Sequence, residues 1–362
     1  MAIFDNAHGI FEFAFPADLT KHQHQAQRAT WRWIELLTEA LLEIRDLHLS
    51  AATSRGEARI LRGIDLDVPR GSTLGIVGES GSGKSSLANA IIRLLPGNTT
   101  KLDGEIRLNG QDLVALGEGE MRALRGTRLA MVFQDPMTAL NPLFTVERHL
   151  IDVIRRRLPE LDRRNSAARA LEALQSVGIS DAKLRLGSYP SDLSGGMRQR
   201  VMIAMLLLAE PDLIIADEPT TALDATIETQ IVALLGDLKT RLSGSMLFIS
   251  HHLGLVARLC ERTCVMYGGT VVEMGETSVV TTTPAHPYTR ALLDCMIDDQ
   301  TSAAPLVFIP GEVPDPVRTV EGCIFAPRCD FVVDHCRQVS PPLRDFGPSA
   351  RKVACHRAGE LA

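Results

Sequence analysis

Four apolar stretches of five residues recur along the chain: Thr73 to Val77, Leu129 to Phe133, Asp212 to Ala216 and Ser245 to Ile249. Their length and content predict strands buried on both faces of a mostly parallel sheet. Helical stretches are predicted from Lys84 through Leu95 and from Met197 to Leu208. Segments near 43–49 and 60–68 predict an antiparallel flank, and Cys264 to Tyr267 with Thr270 to Glu273 predicts a closing hairpin. The expected fold class is α/β, with helices on both faces of the sheet and a helical subdomain at about 136–200. A small loop-rich C-terminal module is expected from 284 to 362. The longest apolar run, Val201 to Ala209, suits a core helix and falls short of the roughly 18 residues a membrane span needs.

The residues that follow the first strand carry the first chemistry. Gly78-Glu79-Ser80-Gly81-Ser82-Gly83-Lys84-Ser85, then Ser86, stand between an apolar strand and an apolar helix, where a flexible linker has no reason to be. Such a loop wraps phosphate with its amides, and the helix N-terminus adds roughly half a positive charge. Lys84 is placed to hold the β- and γ-phosphates, Ser85 to ligate Mg2+ and Ser86 to meet a phosphate oxygen. A second strand ends in Asp217-Glu218, two acids that are costly to bury unless a cation meets them. Asp217 is the candidate magnesium ligand. Glu218 is the candidate base that polarises the attacking water.

With Gln134, Leu193-Ser194-Gly195-Gly196-Met197-Arg198-Gln199-Arg200, Asp224 and His251 in the same order, the chain resembles the ATP-binding subunits of ATP-binding-cassette transporters from about Leu42 to its end. The resemblance implies a P-loop NTPase nucleotide-binding domain over 42–283. It assigns Gln134 to the magnesium-bound water and to the lever toward a transmembrane partner, and His251 to the γ-phosphate. It also implies a head-to-tail dimer, in which Ser194, Gly195, Gly196 and Asp224 of one subunit close over ATP held by another. Two permease subunits, an extracytoplasmic solute-binding protein and a second ATPase, expected to be a paralogue, complete such a complex. The implied location is peripheral, on the cytoplasmic face of the inner membrane.

Seven cysteines change the picture of the tail. Cys260, Cys264 and Cys295 lie among apolar residues and are expected to be inert. Cys323, Cys329, Cys336 and Cys355 are separated by five, six and eighteen residues. Four thiolates are the full ligand set of a [4Fe–4S] cluster or of a structural zinc, and spacing alone leaves both open. His286-Pro287-Tyr288-Thr289, Ile309 to Pro314 and Gly322 to Cys329 are similar to the C-terminal region of dipeptide and oligopeptide importer ATPases. That resemblance implies the cluster, in a structural or regulatory role, and peptides as cargo; relatives also carry nickel complexes, opines and oligosaccharides.

The net charge of −6 and the absence of a basic stripe argue against nucleic acid as a partner. A soluble cassette ATPase acting on nucleic acid or ribosomes, the rival class, calls for tandem cassettes, a coiled-coil insertion or a basic surface. The sequence has none of the three. Arg155-Arg156-Arg157 and Arg163-Arg164 read as a solvated face, with anionic lipid headgroups as the alternative. Three features depart from the family pattern. No aromatic residue stands near Leu49 to Ala52 to stack on adenine. His252 stands where many relatives carry an acid after His251. Residues 1–41, with aromatic clusters at Phe11 to Phe15 and Trp31 to Trp33, resemble nothing and are expected to be a weakly ordered extension with no export signal.

Overall fold

The computed structural model describes residues 40–135, 139–221, 223–295, 308–347 and 350–361. The N-terminal extension, apart from its last two residues, and both of its aromatic clusters lie outside them. β1 (Ala40–Thr53) and β2 (Gly56–Pro69) pair antiparallel as expected from the sequence, over a longer stretch. Leu41 is buried at the start of β1, and from Leu42 on the buried positions, Leu42, Ile44, Leu47, Leu49 and Ala51, step by two except once. A bulge absorbs the odd step: the register shifts between Ile44 and Leu47, and Asp46 has a φ of 45°. One face of the strand therefore stays apolar throughout.

β3 (Thr73–Val77), β6 (Leu129–Val132), β7 (Leu213–Asp217) and β8 (Ser245–Ile249) form the parallel heart of an eight-stranded sheet. With β9 (Arg262–Tyr267), β10 (Thr270–Glu276), β11 (Arg344–Asp345) and β12 (Lys352–Val353), its order is β11-β12-β10-β9-β3-β8-β7-β6. A four-stranded sheet, β2-β1-β4-β5, is built with β4 (Thr99–Leu108) and β5 (Gln111–Asp112). The central strands feed two cores by simple alternation. Leu74, Ile76, Leu213, Ile215, Leu247 and Ile249 enter the core shared with the four-stranded sheet and α1 (Lys84–Ile92). Val77, Ile214, Ala216, Met246 and Phe248 enter the other. Helices α2 (Val146–Arg157), α3 (Arg163–Ser176), α4 (Gly195–Ala209), α5 (Ala225–Arg241) and α6 (Leu253–Leu259) supply residues to that second core.

Two helix boundaries differ from expectation. α1 ends at Ile92 and not Leu95, because Arg93 turns left-handed and its N–H closes onto Ala90 and Asn89. α4 begins two residues before Met197, at Gly195, because the Ser194 hydroxyl caps it.

The tail is woven into the rest. β9 (Arg262–Tyr267) and β10 (Thr270–Glu276) form the hairpin, and β12 (Lys352–Val353) and β11 (Arg344–Asp345) extend the sheet beyond β10. Arg55 pairs with Asp315 at 2.8 Å, and the Arg59 N–H donates to the Pro316 carbonyl at 2.9 Å. From Ala40 onward the chain is one compact unit.

Candidate active site

β3 delivers the chain to Gly78, where φ is 154° and a Cβ would stand 2.2 Å from the Met266 carbonyl oxygen; only glycine fits. Gly83, with a φ of 99°, leads into α1. Ser80 and Gly81 form the exposed rim, and Ser82 is buried beneath it. Lys84, the first residue of α1, is buried and donates to the carbonyls of Gly78 at 2.8 Å and Glu79 at 2.9 Å. Burial holds its ammonium below the ordinary lysine range, against the opposing pull of Glu218, Asp217 and Glu79.

The carboxylates of β7 arrive beside that lysine. Asp217 is buried and accepts a hydrogen bond from Ser85 Oγ at 3.0 Å. Burial lifts its carboxyl above the usual range and the Glu218 charge adds to this, while Ser85 and Lys84 work the other way. A divalent cation is what such a pair of hard oxygen donors lacks, and the donor set suits Mg2+. Glu218 has a φ of 45°, a conformation that costs a non-glycine residue energy and concentrates at functional sites. Its Oε2 accepts from Gln134 Nε2 at 3.3 Å and Thr221 Oγ1 at 2.9 Å, and pairs with His251 Nδ1 at 3.2 Å. Residues from three loop segments, those after β6, β7 and β8, thus converge on one carboxylate oxygen. Thr221 had no role in the sequence reading, although it lies three residues beyond Glu218.

Ser194, Gly195, Gly196 and Asp224 form a second cluster. Ser194 caps α4 by accepting from the Met197 N–H at 3.3 Å, and Asp224 caps α5 by accepting from the Ile227 N–H at 2.9 Å. A Cβ on Gly196 would lie 2.8 Å from Ile227 Cγ2, so the two helix tips touch only because Gly196 is bare. Among the described residues no hydrogen bond or ion pair links this cluster to the phosphate loop of the same chain.

The tail reaches the phosphate loop directly. The Glu79 N–H donates to Tyr288 Oη at 2.8 Å, and Arg328 forks onto the Glu79 carboxylate at 2.8 and 3.1 Å. Sequence reasoning quoted both residues within family motifs but gave them no part in the site. Beside the loop, Tyr288 belongs to a buried aromatic cluster. Tyr267, Tyr288, Phe325 and His286 form that cluster, with ring centroids 4.6–5.8 Å apart. Burial pulls His286 down to about 3, which keeps it neutral.

Cys323, Cys329, Cys336 and Cys355 all line one cavity beside His286, Phe325 and His356. Burial raises the thiols of Cys323 and Cys355 and pushes Cys329 up to about 11, with the neighbouring cysteines adding to the rise. Their ionised forms need positive charge nearby. Among the described residues no group of three or more His, Cys, Asp or Glu is arranged to hold a metal ion. Cys260 and Cys264 are buried, and burial raises both thiols, Cys264 to about 12. Cys295 is partly exposed and raised as well.

This fold and site define a P-loop ATPase of the ATP-binding-cassette class. Residues 61–221 match the family described as ABC transporter, and residues 272–336 match the family described as oligopeptide/dipeptide transporter, C-terminal region. The chain is 44% identical to a probable peptide ABC transporter ATP-binding protein of Sinorhizobium fredii over 89% of its length and 96% of the relative's. It is 44% identical to a probable D,D-dipeptide transport ATP-binding protein of Escherichia coli (88% and 97%) and 41% identical to the oligopeptide transport ATP-binding protein of Salmonella typhimurium (88% and 94%). Among solved structures, a dimeric ATP-binding cassette, MJ0796, in a post-hydrolysis state with ADP and phosphate superposes with a TM-score of 0.59 at 26% identity, covering 65% of this chain and 98% of that one. The chain belongs to the ATP-binding proteins of ABC transporters that carry the oligopeptide/dipeptide transporter C-terminal region. Among the described residues no helix is long and apolar enough to cross a membrane.

Proposed function

We propose that this chain hydrolyses ATP to power import of di- or oligopeptides through a multi-subunit transporter, bound peripherally at the cytoplasmic face of the inner membrane. The convergence of Gln134, His251 and Thr221 on Glu218 Oε2, beside the Ser85–Asp217 pair, carries the proposal. Lys84 exchanges the Gly78 and Glu79 carbonyls for β- and γ-phosphate oxygens when ATP enters the loop formed by Gly78, Glu79, Ser80, Gly81, Ser82, Gly83 and the residues Ser85 and Ser86 that follow. Ser85, Asp217 and Gln134 hold Mg2+, which supplies charge neutralisation at the transferred phosphoryl group. Glu218 takes the proton of the attacking water, and His251 and Gln134 hold that carboxylate in place. The isolation of Ser194, Gly195, Gly196 and Asp224 from this centre supports their serving the site of a second ATPase subunit.

An apolar groove of about 280 Å³, lined by Leu94, Met131, Phe133, Leu140, Met202 and Met205, supports docking of a permease. Its lining residue Phe133 directly precedes Gln134 in the chain, which ties a segment seated there to the glutamine that meets Glu218. For the tail, the resemblance to peptide-importer ATPases supports a [4Fe–4S] cluster on Cys323, Cys329, Cys336 and Cys355, with zinc as the alternative, and the shared cavity those thiols line is its place. Such a cluster would supply positive charge to four thiolates that are buried or partly buried. Anaerobic purification should yield iron and sulfide with a visible absorbance band; stoichiometric zinc without iron would defeat that assignment.

The whole proposal is tested in vesicles holding the chain with its permeases, second ATPase and binding protein. ATP-driven accumulation of labelled dipeptide is expected, and uptake of nickel, opines or oligosaccharides with none of peptide would overturn the choice of cargo.

A further inference from the structure

Arg328 stands out among the buried charges. Its side chain is 4% exposed, and a guanidinium in that position must satisfy five N–H donors. All five bonds are made. Nε donates to the Pro310 carbonyl at 2.8 Å, and Nη2 to Ile309 at 2.9 Å and Glu79 Oε1 at 3.1 Å. Nη1 donates to Glu79 Oε2 at 2.8 Å and Tyr267 Oη at 3.3 Å. Three of the five run to the nucleotide-binding core, from a residue adjacent to Cys329.

The far end of the fork is equally constrained. Glu79 is held at its N–H by Tyr288, at its carbonyl by Lys84 and at its carboxylate by Arg328. Its carbonyl is one of the two that park the phosphate-binding lysine, and it lies between Gly78 and Gly81, where the backbone has the greatest freedom. A flexible loop that must present amides to an anion loses entropy on binding unless something else has already ordered it. The bidentate geometry supplies that order, since two parallel bonds fix direction as well as distance.

We propose that Arg328 is a positioning residue for ATP, which acts through the Glu79 carboxylate to pre-order the phosphate loop and so makes nucleotide affinity depend on the cysteine-bearing tail. The proposal rests on the reading of the chain as an ATPase but not on what the four thiols bind. Because coupling is reciprocal, ATP must in turn steady the 325–329 turn, where the Arg328 N–H donates to Phe325 at 3.0 Å.

Full-length variants test this. In Arg328→Gln the KM and Kd for ATP should rise about tenfold while kcat stays within about threefold, since the contact orders the loop before chemistry. Glu79→Gln should lose as much, and the double variant no more than either single change. Arg328→Lys, which keeps the charge without the fork, should fall between. ATP should slow hydrogen exchange at residues 326–329 in the wild type and not in Glu79→Gln. If Arg328→Gln fails to fold, Glu79→Gln, which leaves the tail's own bonds in place, carries the test. Unchanged ATP affinity in Glu79→Gln, additive losses in the double variant, or ATP-dependent protection surviving in Glu79→Gln would overturn the clamp. A wild-type chain that bound no ATP would instead overturn the ATPase reading beneath it.

Discussion

Replacing Glu273 by glutamine should unsettle the joint between the hairpin and the tail more than any other change of similar size. Glu273 is fully buried on β10. Its Oε1 accepts from Arg351 Nε at 2.9 Å, from Arg351 Nη2 and from the Ala285 N–H at 3.1 Å, and its Oε2 accepts from the His286 N–H at 2.9 Å. Loss of the negative charge leaves a guanidinium only 6% exposed with no anion beside it, only neutral acceptors such as the Thr283 carbonyl and the Phe346 ring face. Breaking one side of a buried ion pair costs about 3–5 kcal/mol. Glutamine also offers one oxygen where the carboxylate offered two, so one backbone N–H loses its acceptor, and an unsatisfied buried donor costs about 1–3 kcal/mol by itself. The two effects share partners and do not simply add, which puts the loss near 5 kcal/mol. Against a total stability of about 5–15 kcal/mol this is large. Urea denaturation followed by circular dichroism reads it as a fall in midpoint at unchanged slope. An apolar pair, Glu273→Met with Arg351→Met, should recover much of the loss, because it removes both charges. A Glu273→Gln chain that unfolds at the wild-type urea concentration would refute the reasoning.

Glu218→Gln should lower ATP hydrolysis about a hundredfold or more while ATP still binds; phosphate release measured at near-normal rates would contradict its role as base. Asp217→Asn should do two opposite things. The folded carboxyl is raised by burial above its unfolded value, so its contribution is fully favourable below the unfolded range and is lost as pH rises through the raised value. Near neutrality the amide should therefore stabilise the nucleotide-free protein, with the gain vanishing below about pH 4, while magnesium-dependent hydrolysis disappears; thermal melts at both pH values decide it. Gly196→Ala should push α4 away from Ile227, whose Cγ2 would lie 2.8 Å from the new methyl. Hydrolysis in the assembled complex should fall roughly tenfold, as misplacement of a contact remote from the bond-breaking step does, and Ile227→Ala should restore part of it.

How much of this was legible in the sequence depended on whether the cause was local. The four buried strands were read within a residue or two, since unbroken apolar runs bounded by glycine and carboxylate leave little choice. Gly78 to Ser86, Asp217, Glu218 and His251 were readable because each sits at the end of such a strand. The tip of α4 was misplaced because the Ser194 cap, not apolar periodicity, decides where the helix starts. Thr221, Tyr288 and Arg328 were invisible for a different reason. Their partners lie 3, 209 and 249 residues away, and the two distant pairings are dictated by how the tail folds back onto the hairpin. The tail's two short strands carry no periodicity at all; they exist because β10 has an edge to cover.

That covering strand has a consequence for any attempt to cut the protein where its composition changes, near 284. Removing 284–362 would strip β12 from the β10 edge, where Glu273 pairs with Val353 and Met274 with Lys352. It would also take Arg351, Ala285 and His286 away from Glu273, and Arg328 and Tyr288 away from Glu79. A bare β10 edge and a phosphate loop without its tail contacts both weigh against a fold whose total margin is about 5–15 kcal/mol. A fragment spanning 40–283 should aggregate or, if recovered, bind ATP far more weakly than the full chain. Gel filtration and nucleotide titration of that fragment give the answer: a monodisperse product with wild-type melting and wild-type ATP affinity would mean that the tail is an appendage, and that the contacts crossing to the phosphate loop contribute nothing to holding it in shape.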